Sequence, residues 1–209
     1  GTYPYTEVSS RTLHMHRLPT DRRDALAAHD EYRQNRELSA ADWGMRGAVV
    51  DETVARTGDR SLMCRKDDAQ AWKGATQDVP VDQQEPGLVV VSGWLKADGV
   101  EGSDPRELSL YADVQLQSGE WEFGEIAGFE GGTHDWRQAT RRIELDEPVK
   151  MVRLHCLFRH GYTGTVWFDD ISVTEGEDGE NLVSNASFEE IGINSDIAAI
   201  DAYNIEARD

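Results

Sequence analysis

The chain has 209 residues, 40 of them acidic against 21 basic, and its formal charge of −19 repels polyanions at long range, which argues against a nucleic-acid partner. A hydrophobic fraction of 38% with six tryptophans suffices for one packed core, while 19 glycines and a mean hydropathy of −0.61 point to many turns. Its apolar runs all fall short of the roughly 20 residues that span a bilayer, so no membrane partner is expected.

The chain begins Gly1-Thr2-Tyr3-Pro4 and reads as a segment of a longer polypeptide. Residues 1–42 form an N-terminal extension or linker, partly helical. Thr12 to Leu18 alternate as a strand does, and Arg22 to Glu37, with Asp21 and Asp24 near the front, have the composition of a surface helix. His14 and His16 read as exposed histidines, because no third metal ligand accompanies them.

From Trp43 the pattern changes to short strands separated by turns. Ala48 to Glu52 leads to the turn Thr57-Gly58-Asp59-Arg60 and then to Ser61 to Arg65. Ala75 to Val81 is extended. Pro86-Gly87 turns the chain into Leu88 to Ala97, rich in β-branched residues, whose Val89, Val91, Gly93 and Leu95 share one face and Val90, Ser92, Trp94 and Lys96 the other. Leu108 to Leu116 alternates throughout, and Ser118-Gly119 turns it into Trp121 to Glu125 as a hairpin. Gly131 to Trp136 reads as a loop before Gln138 to Leu145. Val152, Leu154, Cys156 and Phe158 then alternate with Arg153, His155, Leu157 and Arg159.

Gly164 to Val173 closes the set. Strict alternation places Val166, Phe168, Asp170 and Ser172 on one face and Trp167, Asp169, Ile171 and Val173 on the other, drier one. Two adjacent carboxylates in so apolar a run require a cation or backbone N–H groups, since a buried carboxylate without partners costs several kcal/mol. Cys64 and Cys156 both fall on the core side; they read first as two buried thiols, and a disulfide between them stays open. About eight or nine short antiparallel strands with almost no helix define an all-β fold, a β-sandwich of the jelly-roll kind.

Thr57-Gly58-Asp59-Arg60-Ser61-Leu62, Gln77-Asp78-Val79, Ser92-Gly93-Trp94-Leu95-Lys96-Ala97 and Trp167-Phe168-Asp169-Asp170-Ile171, in this order, resemble the jelly-roll carbohydrate-binding modules appended to secreted bacterial xylanases, cellulases and related enzymes. The resemblance covers residues 43–176. It implies a secreted, non-catalytic module that binds polysaccharide, acidic ones included, and serves a catalytic domain in the same polypeptide. It also implies a structural calcium held by Asp170 and by the turn at Gly58 and Asp59. The Asn-Leu-x-x-Asn-x-Ser-Phe-Glu signature that opens such modules occurs here at Asn181 to Glu189, after the closing strand. Residues 177–209 therefore read as a linker and the first strand of a following or permuted module, which leaves Glu189 as one candidate for the remaining calcium ligand.

With strands 88–97, 108–116 and 151–159 in one sheet, Trp94, Tyr111, Asp113, Gln115, Arg153, His155 and Arg159 would share a surface, together with Lys96. Rings offer flat apolar area to the C–H faces of sugars, and the polar groups offer hydrogen bonds that fix orientation. Trp72, Trp121 and Trp136, placed on loops at one edge, form a secondary platform. No catalytic residue is assigned. The alternatives are a jelly-roll polysaccharide lyase, with Arg153 and Gln115 on a uronate carboxylate and His155 or Tyr111 as the base, and a structural spacer without ligand.

Overall fold

The computed structural model describes residues 38–192, and the extension read in residues 1–37 lies outside the described residues, as do residues 193–209. The strands, in chain order, are β1 (Ser39–Ala40), β2 (Gly44–Arg46), β3 (Val49–Asp51), β4 (Ser61–Lys66), β5 (Lys73–Pro80), β6 (Val89–Glu101), β7 (Leu108–Leu116), β8 (Trp121–Gly128), β9 (Gly132–Ile143), β10 (Val149–Phe158), β11 (Thr163–Glu175) and β12 (Ile191–Gly192). None of the described residues is helical.

Two five-stranded sheets form a sandwich, one in the order β3-β4-β11-β6-β9 and the other β2-β5-β10-β7-β8, and every pairing within them is antiparallel. Alternation decides which side chains enter the core. Leu108, Leu110, Ala112 and Val114 of β7 and Val152, Leu154, Cys156 and Phe158 of β10 meet Val89, Val91, Leu95, Leu62 and Cys64 of the opposite sheet, all buried. Gly93 marks a close approach between the sheets, since a Cβ there would stand 2.8 Å from both the Ile171 and Leu110 methyls. Both cysteines are free thiols without solvent access, and burial pushes Cys64 up to about 12. They act as small apolar core residues.

The closing strand departs from strict alternation at its acids. Between Asp169 and Ser172 the register with β6 shifts, and Asp170 adopts φ 47°, so one extra residue is accommodated as a bulge. Val166 and Phe168 before the bulge and Ile171 and Val173 after it therefore all point into the core, where strict alternation would have sent them to opposite faces.

The signature at Asn181 to Glu189 belongs to this domain. Beyond the bulge β11 is no longer paired by β4, and this segment takes over: Ile171 N–H donates to the Ala186 carbonyl (2.9 Å) and Leu182 N–H to the Val173 carbonyl (2.9 Å). Asn181 bridges the same strand, accepting from Val173 N–H and donating to the Ile171 carbonyl. Phe188 is fully buried, its ring 5.2 Å from that of Trp43, and β12 pairs with β1 through Ser39↔Gly192 and Ala40↔Ile191. Residues flanking the 43–176 stretch on both sides thus pair and pack with its strands.

Candidate functional site

The outward face of the second sheet collects most of the expected ligand residues. Arg153 of β10 stands between Asp78 of β5 and Asp113 of β7, and His155 stands between Thr76 and Tyr111. One row away, Met151 pairs with Gln115, which in turn pairs with Trp121 of β8. Arg159 follows the end of β10, its guanidinium 5.7 Å from the Tyr111 ring centre and its Nε 2.6 Å from Glu107 Oε2. Tyr111, Asp113, Gln115, Arg153, His155 and Arg159 thus come together as expected, because β7 and β10 are neighbours whose core-facing sets match.

The polar groups of this face hold one another in place. Arg153 donates to both oxygens of Asp78, at 2.7 and 2.9 Å, and the pair holds the Asp78 carboxyl below its ordinary range. His155 Nδ1 lies 2.8 Å from Thr76 Oγ1, and burial lowers its proton affinity, the neighbouring arginines adding to the effect and Asp113 opposing it. Burial, with Asp113 close by, raises the Tyr111 hydroxyl. Both arginines are already charge-balanced, Arg153 by Asp78 and Arg159 by Glu107. The face therefore offers oriented donors and acceptors beside aromatic rings, and Arg153 and Arg159 each face a carboxylate.

Trp94 lies elsewhere. Its strand β6 is in the other sheet, so both Trp94 and Lys96 point away from Tyr111 and His155. The Trp94 ring is covered by Arg56, whose guanidinium carbon is 3.7 Å from the ring centre, and Lys96 is paired with Asp135 at 2.9 Å. Nor do Trp72, Trp121 and Trp136 share an edge. Trp72, in the segment before β5, is stacked by Arg46 of edge strand β2 (3.6 Å); Trp121 begins the opposite edge strand, β8; Trp136 lies within β9, in the other sheet. The expected loop around Trp136 is strand from Gly132 onward, because β6 runs on to Glu101 and offers it a partner. Of the three, Trp121 borders the Arg153 row, its ring centre 5.2 Å from the Arg153 guanidinium carbon. The aromatic residue that sequence reasoning missed is Phe123, two positions further along β8, its ring stacked on that of Trp121 at 6.1 Å and 13°.

The acidic corner assembles near the expected turn, with a different set of partners. Asp169, fully buried, accepts from the N–H groups of Arg56 (2.7 Å), Thr57 (3.3 Å) and Asp170 (2.7 Å), while burial pushes its carboxyl up to about 6 against their pull. Asp170 accepts from the Arg56 guanidinium, from Thr57 Oγ1 (2.6 Å) and from Ser187 Oγ (2.6 Å), and these outweigh burial to hold its carboxyl below the ordinary range. Glu189 Oε1 accepts from the N–H groups of Asp59 (2.9 Å) and Arg60 (3.0 Å). Gly58 adopts φ 62°, a conformation that residues with a Cβ rarely take, and a Cβ there would also displace the Glu189 carboxylate.

At the corner where a calcium is expected, donors of the chain itself meet the acids. The turn presents N–H groups to Glu189, and the Asp170 carboxylate that would have held a hard cation is bound to a guanidinium.

No family model matches the chain. It is 32% identical over 165 residues to the tRNA nuclease WapA of Bacillus subtilis strain 168, and equally to the tRNA3(Ser)-specific nuclease WapA of Bacillus spizizenii. The match covers 76% of this chain and spans 7% of the length of those relatives. Among solved structures, the chain is similar to the CBM22-1 xylan-binding domain of Paenibacillus barcinonensis Xyn10C, with 17% identity, coverage of 63% of this chain and 83% of that one, and a TM-score of 0.45. It is also similar to the C-terminal family 22 carbohydrate-binding module of Clostridium thermocellum Xyn10B, with 15% identity, coverage of 70% and 91%, and a TM-score of 0.48. Both of those proteins are carbohydrate-binding modules.

Proposed function

We propose that the domain is a non-catalytic module that binds polysaccharide on the outward face of β5, β10, β7 and β8, and thereby keeps a longer polypeptide at a glycan outside the cell. The observation that carries this reading is the division of labour within β7 and β10. Their inward residues supply the core, so Tyr111, Asp113, Gln115, Arg153 and His155 owe nothing to core packing, yet Arg153 and His155 are held by Asp78 and Thr76 across the sheet. A merely solvated face would use Thr, Ser, Lys and Glu instead. Because each arginine already has a carboxylate partner, a neutral glycan is favoured over an acidic one, whose charge would have to displace Asp78 or Glu107. Binding in the micromolar to millimolar range, about −4 to −8 kcal/mol, suits a tethered module.

The lyase reading finds less support. A base at Tyr111 needs a lowered proton affinity, whereas burial and Asp113 raise it, and the Arg153 fork that would grip a uronate is engaged by Asp78. The nuclease activity in the names of the relatives concerns proteins of which this chain spans 7%, and a formal charge of −19 opposes contact with a phosphate backbone. The test is electrophoresis of the domain through gels containing neutral or acidic soluble polysaccharides, with analysis for new reducing ends and unsaturated products. Retardation without product supports a binding module; unsaturated product would make it a lyase; neither would make it a spacer.

A further inference from the structure

We propose, building on the reading of that face as a glycan site, that Trp121 and Phe123 form an outer subsite at the β8 edge, so that the ligand is a chain bound along its length across the strands. Phe123 is 70% exposed, by far the largest exposure of a big apolar side chain among the described residues. A β-bulge puts it there. The β7–β8 register shifts between Ala112 and Val114, so both Phe123 and Gly124 lie opposite Asp113, and the ring is left on the outward face beside Trp121. The two rings are parallel to within 13°, and the Arg153 guanidinium carbon lies 5.2 Å from the Trp121 ring centre. Arg153 thus touches both the polar row of the face and the inner ring of the pair, which makes the two regions one continuous surface.

The size of the patch selects its occupant. Two rings that each offer at most about 150–250 Å² suit the C–H face of a sugar, whereas a stable protein partner needs about 1,000 Å² or more. From Asp78 on β5 to Trp121 on β8 the face crosses three strand spacings, about 14 Å at about 4.8 Å each. A short oligosaccharide seated at Arg153 and His155 would leave Phe123 untouched, and a longer one would reach it.

The test titrates parent and Phe123→Ala proteins by calorimetry with di- to hexasaccharides of whichever polysaccharide retards the parent in gels. With Phe123 so exposed, its replacement leaves the core intact. The affinity of the parent should rise with length, and Phe123→Ala should lower hexasaccharide affinity about 2- to 12-fold while leaving disaccharide affinity unchanged; Phe123→Trp should restore the difference. An equal loss for both lengths, or no loss while Arg153→Ala still abolishes binding, overturns the outer subsite and leaves the glycan face standing. A parent that binds no member of the panel overturns both.

Discussion

Replacing Phe188 by alanine tests whether the segment after the closing strand is an integral part of this domain. Phe188 is fully buried and packs against Trp43, whose indole Nε1 in turn donates to the Asn185 carbonyl at 3.2 Å. Around it, Gln77 ties the segment to β5, donating to the Ser184 carbonyl at 2.9 Å and accepting from Ser184 N–H at 2.9 Å. Removing a buried phenyl ring costs about 3–5 kcal/mol, transfer and cavity together. At about 2–4 °C per kcal/mol for a domain of this size, the midpoint of thermal unfolding should fall by about 6–20 °C. Circular dichroism and tryptophan emission should report it together, since Trp43 loses its partner in the same transition. A fall below about 2 °C would contradict the packing of Phe188 on Trp43 and return residues 181–192 to the role of a strand awaiting another module.

Chelation should leave the unfolding midpoint unchanged, because Arg56 supplies the positive charge at Asp170; a fall in EDTA that calcium reverses would contradict this. Arg56→Met should destabilise by about 1–3 kcal/mol, measured by urea unfolding, since it leaves Asp170 with hydroxyl partners only and uncovers Trp94. His155 has a lowered proton affinity in the fold, so below its unfolded value of about 6.5 the unfolded chain takes up the proton more readily and stability falls with pH. Asp169 acts in the opposite sense: its carboxyl is raised to about 6, so its contribution is present at low pH and is lost as pH rises through that value. The parent shows the sum of the two, and His155→Gln isolates the first: its midpoint should fall less between neutral and mildly acid pH than that of the parent, and an equal fall would rule His155 out as a source of the pH dependence.

Much of the fold is legible in the sequence because alternation is a local property. The core-facing sets of Leu108 to Leu116 and Val152 to Phe158 can be read directly, and with them the outward residues that make up the candidate face. Alternation assigns a side chain to a face of its strand, however, and does not say which sheet the strand joins. That is why alternation alone groups Trp94 with Tyr111 although β6 pairs with β11 and β9. Bulges hide two further features. One residue at positive φ, Asp170, reverses the faces of the closing strand, and the register shift opposite Asp113 exposes Phe123. The signature at Asn181 to Glu189 is visible as a motif, but only long-range pairing to Ile171 and Val173 shows that it completes this sandwich. Arg56 sits in an irregular segment with no periodicity, so nothing in the sequence marks its charge at the place where a calcium is expected.

The most direct measurement compares Arg153→Ala, Gln115→Ala and Trp94→Ala with the parent by titration calorimetry against the polysaccharide that retards the parent in gels. The first two change the face of β10 and β7, and the third changes the opposite sheet. Arg153→Ala should abolish most of the affinity and Gln115→Ala should weaken it, while Trp94→Ala should bind as the parent does. Loss of binding in Trp94→Ala with full binding in Arg153→Ala would place the ligand on the other sheet and contradict a glycan site on β7 and β10.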